Sequence, residues 1–246
     1  MPARKRCVTG IEGLDAALNG GIPEGNVVLL SGACGTGKTT LGIEYLTYGA
    51  ARGENGVYFS VTEPYEKLLE NMRAFSFFTE NLIEENKLFI IDVSLLYNRL
   101  GLLGEDRTIE DIDTLLWALI DTVRALHIKR AVIDSITAIC SRLAQPSKIR
   151  ELVFNLSRMF THFGVTTLLI SELAGSAGRY STYDVEEAVS DGIILQEDVE
   201  RMGNMMRTIQ IIKMRGTAHS RAKYVMDLST EGALMVPLLK WGLSGE

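Results

Sequence analysis

A glycine-rich segment near the amino terminus has residue types and a spacing suited to phosphate chemistry. It matches the pattern G-x-x-x-x-G-K-[ST] without deviation and comprises Gly32, Ala33, Cys34, Gly35, Thr36, Gly37, Lys38 and Thr39, followed by Thr40. Glycines permit positive φ, so consecutive backbone N–H groups can turn towards phosphate oxygens at the start of a helix. We expect Lys38 to contact the β- and γ-phosphates of a nucleotide and the Thr39 hydroxyl to ligate Mg²⁺. An apolar run precedes the segment and an amphipathic run follows it, so a chance match is disfavoured.

An apolar run that ends in an acid, residues 131–134, is the second candidate. In proteins with a phosphate loop, an aspartate at the end of a neighbouring strand helps to hold the metal ion. The run alone favours a metal role no more than an ordinary strand end, but beside the loop it predicts that Asp134 and Thr39 bind Mg²⁺. Asp92 also ends an apolar run and is the competing candidate.

Glu63 follows the predicted strand Val57–Val61. Hydrolysis of a triphosphate requires a group that orients water in line with the γ-phosphate, and a carboxylate on this loop is well placed for it. An acid at the entry to a helix is also stabilised by the helix dipole. The residues alone do not decide between these two roles.

Lys213 and Arg215 are two cations spaced two residues apart in the run 213–219, KMRGTAH. On a strand this spacing places both side chains on one face, where together they suit a phosphate. Charged residues also mark solvated strand edges, and the spacing alone favours that alternative.

Short apolar runs alternate with longer helical runs, which predicts a parallel sheet with crossover helices. The predicted strands are Val27–Ser31, Val57–Val61, Leu88–Asp92, Arg130–Asp134 and Thr166–Ser171. The predicted helices are Lys38–Ala51, Pro64–Phe75, Ile112–Leu126, which follows a capping-box pattern at residues 108–111, and Pro146–Phe163. The longest segments predicted to be irregular are Val93–Arg107 and Ala174–Tyr183.

After about residue 190, three β-rich runs joined by turns predict an antiparallel extension of the sheet: Gly192–Leu195, Arg207–Met214 and Ala222–Leu228. The fold class is therefore α/β, with a mostly parallel central sheet flanked by helices and an antiparallel carboxyl-terminal extension. Because no repeat or linker divides the 246 residues, we expect one domain spanning 1–246.

Composition and charge restrict the classes of function. The three cysteines, Cys7, Cys34 and Cys140, are far apart and, like the three histidines, show no metal-ligand spacing. No apolar run is long enough to span a membrane, so we expect a soluble cytoplasmic protein. The formal net charge of −6 argues against non-specific wrapping of duplex DNA.

Five stretches make the chain resemble the KaiC branch of the RecA/RadA superfamily of ATPases. They are Thr9–Asp15, Gly20–Gly25, the phosphate loop, Tyr183–Asp191 and Lys213–His219. The resemblance implies a RecA-type core that binds ATP or ADP with Mg²⁺ and assembles into a ring, most often a hexamer, with nucleotide between subunits. It also implies that Asp134 is the metal-binding aspartate and that Glu172 lies where relatives sense the γ-phosphate.

The same resemblance assigns the carboxyl-terminal cations to the neighbouring subunit's site. It implies that Lys213, Met214, Arg215, Thr217 and His219 contact the nucleotide in trans. KaiC proteins usually carry two glutamates after the second strand, whereas this chain has Thr62-Glu63, as RadA-like members do. Glu63 is thus the expected base, and hydrolysis is expected to be modest in rate. The clock protein has two such domains and a tail that this chain lacks, so a clock role is not implied.

Three functions follow as hypotheses. The first is Mg-dependent hydrolysis of ATP by a ring that acts as a switch or motor on an unknown partner. The second is a recombinase-like ATPase that binds single-stranded DNA through the loop containing Arg179, Tyr180 and Tyr183; the acidic balance makes it less favoured. The third is a nucleotide-gated interaction module with negligible turnover, for which Thr62 is the main support.

Overall fold

The computed structural model describes residues 4–101, 109–143, 145–173 and 179–238. The strands in chain order are β1 (Arg6–Cys7), β2 (Ile22–Pro23), β3 (Val27–Gly32), β4 (Gly56–Ser60), β5 (Leu88–Asp92), β6 (Arg130–Asp134), β7 (Thr166–Glu172), β8 (Gly192–Arg201), β9 (Asn204–Met214), β10 (Lys223–Ser229) and β11 (Gly232–Pro237). The helices are α1 (Leu14–Ala17), α2 (Lys38–Ala50), α3 (Tyr65–Met72), α4 (Asn81–Glu84), α5 (Val93–Arg99), α6 (Ile109–Ala125), α7 (Ile136–Cys140), α8 (Pro146–His162) and α9 (Glu186–Val189).

Nine strands form one sheet in the order β11-β10-β9-β8-β3-β7-β6-β4-β5, and β1 pairs separately with β2. The six strands β8, β3, β7, β6, β4 and β5 run parallel to one another. Strands β9, β10 and β11 add antiparallel pairs at one side. This arrangement confirms the predicted fold class, a mostly parallel α/β sheet with an antiparallel extension.

Strand β3 lies near the centre of the sheet and is buried on both faces. Val28 and Leu30 contribute to the apolar cluster that contains α2, while Val27 and Leu29 contribute to the cluster that contains α6 and α8. A near-continuous apolar sequence is what a strand covered on both sides requires. The carboxyl end of β3 leads directly into the glycine-rich segment.

Several boundaries differ from the predictions, each for a local reason. The segment Val93–Arg107 was predicted to be irregular, but its first half is α5, because the Asp92 side chain accepts hydrogen bonds from Ser94 N and Leu95 N and caps the helix. Pro64 precedes α3 in an extended conformation and is not its first helical residue. Thr108 of the predicted capping box lies outside the described residues.

The hairpin of β8 and β9 is longer than predicted. Its outer part, residues 197–208, continues beyond Gln196, the last residue of β8 that pairs with β3. Alternating polar residues concealed this extension, because only one face of it packs on the protein. Strand β11 and the short helices α1, α4, α7 and α9 were also missed, since elements of four to six residues carry little periodicity.

No helix in the described ranges is long and apolar enough to cross a membrane.

Helix α2 is joined to the carboxyl-terminal strands by a buried carboxyl group. Glu44 is 8% exposed, and its Oε2 accepts a hydrogen bond of 2.9 Å from Ala233 N on β11. A side chain at Gly232 would approach Glu44 Oε1 to 2.5 Å, so a glycine is required there. Burial raises the pKa of Glu44 from 4.5 to about 7, against a smaller lowering by that hydrogen bond.

We expect Glu44→Gln to raise the free energy of unfolding at pH 8 by roughly 1–2 kcal/mol. The native state binds the Glu44 proton more tightly than the unfolded state, so native stability falls as the pH rises from about 4.5 to about 7. The amide carries no charge and escapes this penalty. Urea denaturation at pH 5 and pH 8 measures the difference, with exposed Glu24→Gln as the control. An equal difference at both pH values would contradict this account.

Candidate active site

The glycine-rich segment forms a loop between β3 and α2. Gly35 has φ 83° and Gly37 has φ 96°, a region that favours glycine, and Gly37 is the N-cap of α2. A Cβ at Gly37 would lie 2.3 Å from Leu228, so the close packing of β10 also requires glycine there. The Thr36 hydroxyl donates to Ala33 O at 2.9 Å and closes the turn.

The backbone donors of this loop suit an anion. Within the described ranges, the N–H groups of residues 35–40, from Gly35 to Thr40, donate to no other group. They include the first N–H groups of a 13-residue helix, where the dipole favours negative charge. The cradle therefore fits the oxygens of a phosphate chain. Cys34 in the same loop is exposed to solvent.

Lys38 lies inside the loop. Its ammonium group donates to Gly32 O at 2.8 Å and to Ala33 O at 2.6 Å. Desolvation lowers the pKa of Lys38, while the Glu172 and Asp134 carboxylates act in the opposite direction. Carbonyl oxygens are weaker partners for a cation than phosphate oxygens, so a bound phosphate can replace them.

Thr39, in the first turn of α2, contacts Asp134, the last residue of β6. The Thr39 hydroxyl donates to Asp134 Oδ2 at 2.6 Å, and the Tyr58 hydroxyl donates to the same oxygen. Burial and then the Asp134 carboxylate raise the pKa of Tyr58 well above its usual value, so it remains a donor. Hydroxyl and carboxylate oxygens are ligands that Mg²⁺ prefers, and these two therefore fit the metal of a nucleotide complex. Asp92, the competing candidate, caps α5 and accepts from Ser94.

Glu63 lies on the loop between β4 and α3, close to this group. The Ser60 hydroxyl donates to Glu63 O at 2.5 Å, and Asn71 Nδ2 donates to Glu63 Oε1 at 2.8 Å. Its charge adds to the effects that raise the pKa of Tyr58, after burial and Asp134. The carboxylate is thus held beside the Asp134 group by a single exposed amide from α3.

The motifs did not name four residues that lie near the loop: Tyr58, Glu172, Gln196 and Arg207. Of these, only Glu172 was expected there, from the resemblance. Glu172 ends β7, and its charge influences Lys38. Gln196 Oε1 lies 3.5 Å from the Thr36 hydroxyl. Arg207 Nε donates to Gly35 O at 3.4 Å from the projecting part of the β8–β9 hairpin. In the sequence, Tyr58 and Gln196 stand out only as polar residues beside apolar strand residues. Arg207 gives no signal in the sequence that it lies near the loop.

Lys213 and Arg215 lie level with the amino end of β3, whereas the loop follows its carboxyl end. Met214, between them, pairs with Gly192, which pairs with Val28, whereas the loop begins after Gly32. Four residues of strand separate the two levels, which corresponds to about 13 Å. The structure therefore does not bring these cations to the phosphate loop of their own chain.

The remaining residues of that run are near Lys213 and Arg215. Met214 is only 4% exposed and packs against Gly192, so its side chain is part of the core. The Thr217 hydroxyl accepts from Arg6, and His219 Nδ1 lies 3.0 Å from Ser220 O.

Known proteins resemble this chain over nearly its whole length. A family model described as "ATPase: KaiC" matches residues 7–240. A UPF0273 protein of Thermotoga maritima is 34% identical over 238 residues, which cover 95% of this chain and 96% of that relative. A circadian clock oscillator protein KaiC of Prochlorococcus marinus is 32% identical over 231 residues, which cover 94% of this chain but only 45% of the relative. The chain thus spans about half the length of this KaiC relative.

A solved structure shares the fold. The crystal structure of a KaiC-like protein from the archaeon Pyrococcus horikoshii has a TM-score of 0.82 and 34% sequence identity to this chain. The match covers 95% of this chain and 100% of the other.

We expect Lys38→Ala to weaken the binding of a nucleoside triphosphate by about 100-fold, because the buried ammonium group is the cation nearest the backbone cradle. Titration with a fluorescent non-hydrolysable analogue measures the affinity. Lys129→Ala, an exposed lysine at the amino end of β6, is the matched control and should bind normally. Normal affinity in the Lys38 variant would refute the site.

Proposed function

The chain belongs to the KaiC family of ATPases, and from that premise we propose that it binds Mg-ATP and hydrolyses it to ADP and inorganic phosphate. The observation that carries the proposal is the contact of Thr39 with Asp134 beside a loop whose N–H groups at residues 35–40 have no acceptor among the described residues. We further propose that the chain acts as one such domain in a ring, most often a hexamer, and that the ring acts as a switch or motor on a partner.

The proposed reaction is an in-line attack of water on the γ-phosphorus. The loop from Gly35 to Lys38 would hold the phosphates, and Thr39 with Asp134 would hold Mg²⁺, which supplies positive charge to the phosphate oxygens. The Glu63 carboxylate would orient the water and accept its proton while the bond between the γ-phosphorus and the bridging oxygen breaks. ADP leaves as the other product.

The position of Arg215 supports a site shared between two subunits. The guanidinium cannot reach the phosphate loop of its own chain, because the two lie at opposite ends of the strands. Its side chain is 54% exposed and directed outward, where it is available to a second copy. A cation supplied from a neighbour stabilises the charge that develops on a transferred phosphoryl group. Lys213 lies beside it and would contribute in the same way.

The surface around Arg215 also supports assembly. Trp117, Phe154 and Phe163 are 61%, 45% and 36% exposed, and they line the same groove as Asp191 and Arg215, with a volume of about 1020 Å³. Clustered exposed aromatics are typical of surfaces that another chain covers. We propose that a second copy of this chain covers the groove when Arg215 enters its site.

The described part of the 174–183 loop does not favour DNA binding. Arg179 pairs with Asp184 at 3.6 Å, while Tyr180 and Tyr183 pack against an apolar cluster of the core. The two tyrosines, packed in this way, are not presented for stacking on bases. Residues 174–178 lie outside the described part. The single glutamate at Thr62-Glu63 is compatible with slow turnover, which would suit a nucleotide-gated switch.

We expect Arg215→Ala to lower the turnover number at least tenfold, because the arginine acts on charge that develops in the transition state. A mixture with Glu63→Gln tests whether the contact is in trans. In a random one-to-one ring, about a quarter of the sites combine an intact Glu63 with a neighbour's intact Arg215. Phosphate release from the mixture should therefore exceed that of either variant.

The control for this experiment is a mixture of Arg215→Ala with the double variant Glu63→Gln/Arg215→Ala, which has no arginine to donate. It should show no recovery. If the first mixture also fails at every ratio, the contact is not made in trans.

We expect Phe154→Asp to weaken assembly, because it places a charge in the middle of the apolar groove. Sedimentation velocity with an ATP analogue measures the oligomeric state. Val236→Asp is the matched control, since Val236 is exposed to a similar extent, 42%, on the edge strand β11. Equal assembly of the two variants would remove the groove from the interface.

A further inference from the structure

Asp191 connects the central strand to the outward-facing arginine. Its backbone N–H donates to Val27 O at 2.8 Å, and its Oδ2 accepts from Val27 N at 3.1 Å. Its carbonyl accepts from Arg215 N at 2.8 Å, and its Oδ1 accepts from the Arg215 guanidinium at 3.3 Å. One residue therefore fixes both the backbone and the side chain of Arg215 relative to β3.

The other contacts of Arg215 are weaker. Its second terminal nitrogen donates to Ala188 O at 3.4 Å, and its carbonyl accepts from Asn26 at 3.4 Å. Among the described residues, Asp191 is the only acid within ion-pair distance of the guanidinium. The direction of the side chain depends mainly on this carboxylate.

Stability does not explain this arrangement well. The Arg215 side chain is 54% exposed and that of Asp191 25% exposed, and ion pairs of this exposure contribute little to the free energy of folding. An arginine that must meet a phosphate in another subunit has a different requirement. Its many rotamers must be restricted before the encounter, since poor aim reduces the rate even when binding is intact.

We propose that Asp191 is a positioning residue that aims Arg215 at the neighbouring subunit's nucleotide and ties that aim to β3. The inference rests on the proposed function, because it needs Arg215 to act in trans. Strand β3 ends in the phosphate loop of its own subunit, so the same strand carries one site's cradle and anchors the cation of the next site.

The test is Asp191→Asn in the full-length protein. The amide keeps the shape and one acceptor for Val27 N, but it loses the charge that attracts Arg215. We expect the turnover number to fall about tenfold, while the KM for ATP, assembly and the melting temperature stay unchanged. In an Arg215→Ala background the same change should have no further effect, because both substitutions remove one function.

Glu80→Gln is the matched control. It removes another arginine–carboxylate pair, Arg73–Glu80, from the exposed surface beyond α3, and should leave turnover unchanged. If Asp191→Asn lowers turnover equally in both backgrounds, Asp191 acts independently of Arg215 and the proposal is wrong.

Two further results separate this proposal from the proposed function. Normal turnover of Arg215→Ala alone would overturn the trans contact itself, and the positioning role with it. A defective Arg215→Ala together with a normal Asp191→Asn would overturn only the positioning role. If Asp191→Asn lowers the melting temperature or does not fold, Asp191→Glu decides instead. That variant keeps the charge but shifts it by one methylene, so a positioning role predicts slower turnover and a role in charge alone predicts normal turnover.

Discussion

The length and direction of the central strand β3 constrain the whole site. Its carboxyl end opens into the phosphate loop, and its amino end is held by Asp191, which also holds Arg215. A parallel strand buried on both faces cannot bend to bring its ends together. The cradle and the arginine are therefore kept about 13 Å apart at least. Under the proposed function, chemistry that needs both would therefore use two copies of the chain, and the complete site would belong to the assembly.

Charge at the loop is balanced before any nucleotide binds. The buried Lys38 rests on two carbonyls of the loop itself, and Glu172 and Asp134 offset part of the cost of its burial. Asp134 in turn accepts from Thr39 and Tyr58. In each of these contacts, a group that could bind a phosphate or a cation is instead hydrogen-bonded to a weaker partner within the protein. Under the proposed function, Mg-ATP would exchange partners with these groups rather than reorganise the fold, which is the condition for a preorganised electrostatic site.

The sequence was sufficient for the fold class and for features that are local in the chain. The loop pattern, the acid after an apolar strand and the order of strands depend on neighbouring residues, so patterns of a few residues carry them. Contacts made across the sheet do not leave such a pattern. Arg207 reaches Gly35 only because the β8–β9 hairpin projects beyond β3. Asp92 is a different case, because its cap is local, but the seven residues of α5 carry too little periodicity to be recognised. The proposed trans role of Lys213 rests on resemblance alone, since its spacing favoured a solvated edge.

A second set of contacts links the carboxyl end of β3 to Lys213. The Ser31 hydroxyl, one residue before the phosphate loop, donates to Tyr180 O, and Tyr180 N donates to Glu187 Oε1 at 3.1 Å. The Glu187 carbonyl accepts from Lys213 Nζ at 2.9 Å. Lys213 and Arg215 are thus each bound to elements that also touch β3. Hydrogen-bonded contacts therefore connect β3, the strand that carries the phosphate loop, with both cations, and such a physical connection is what coupling between the two sites would need.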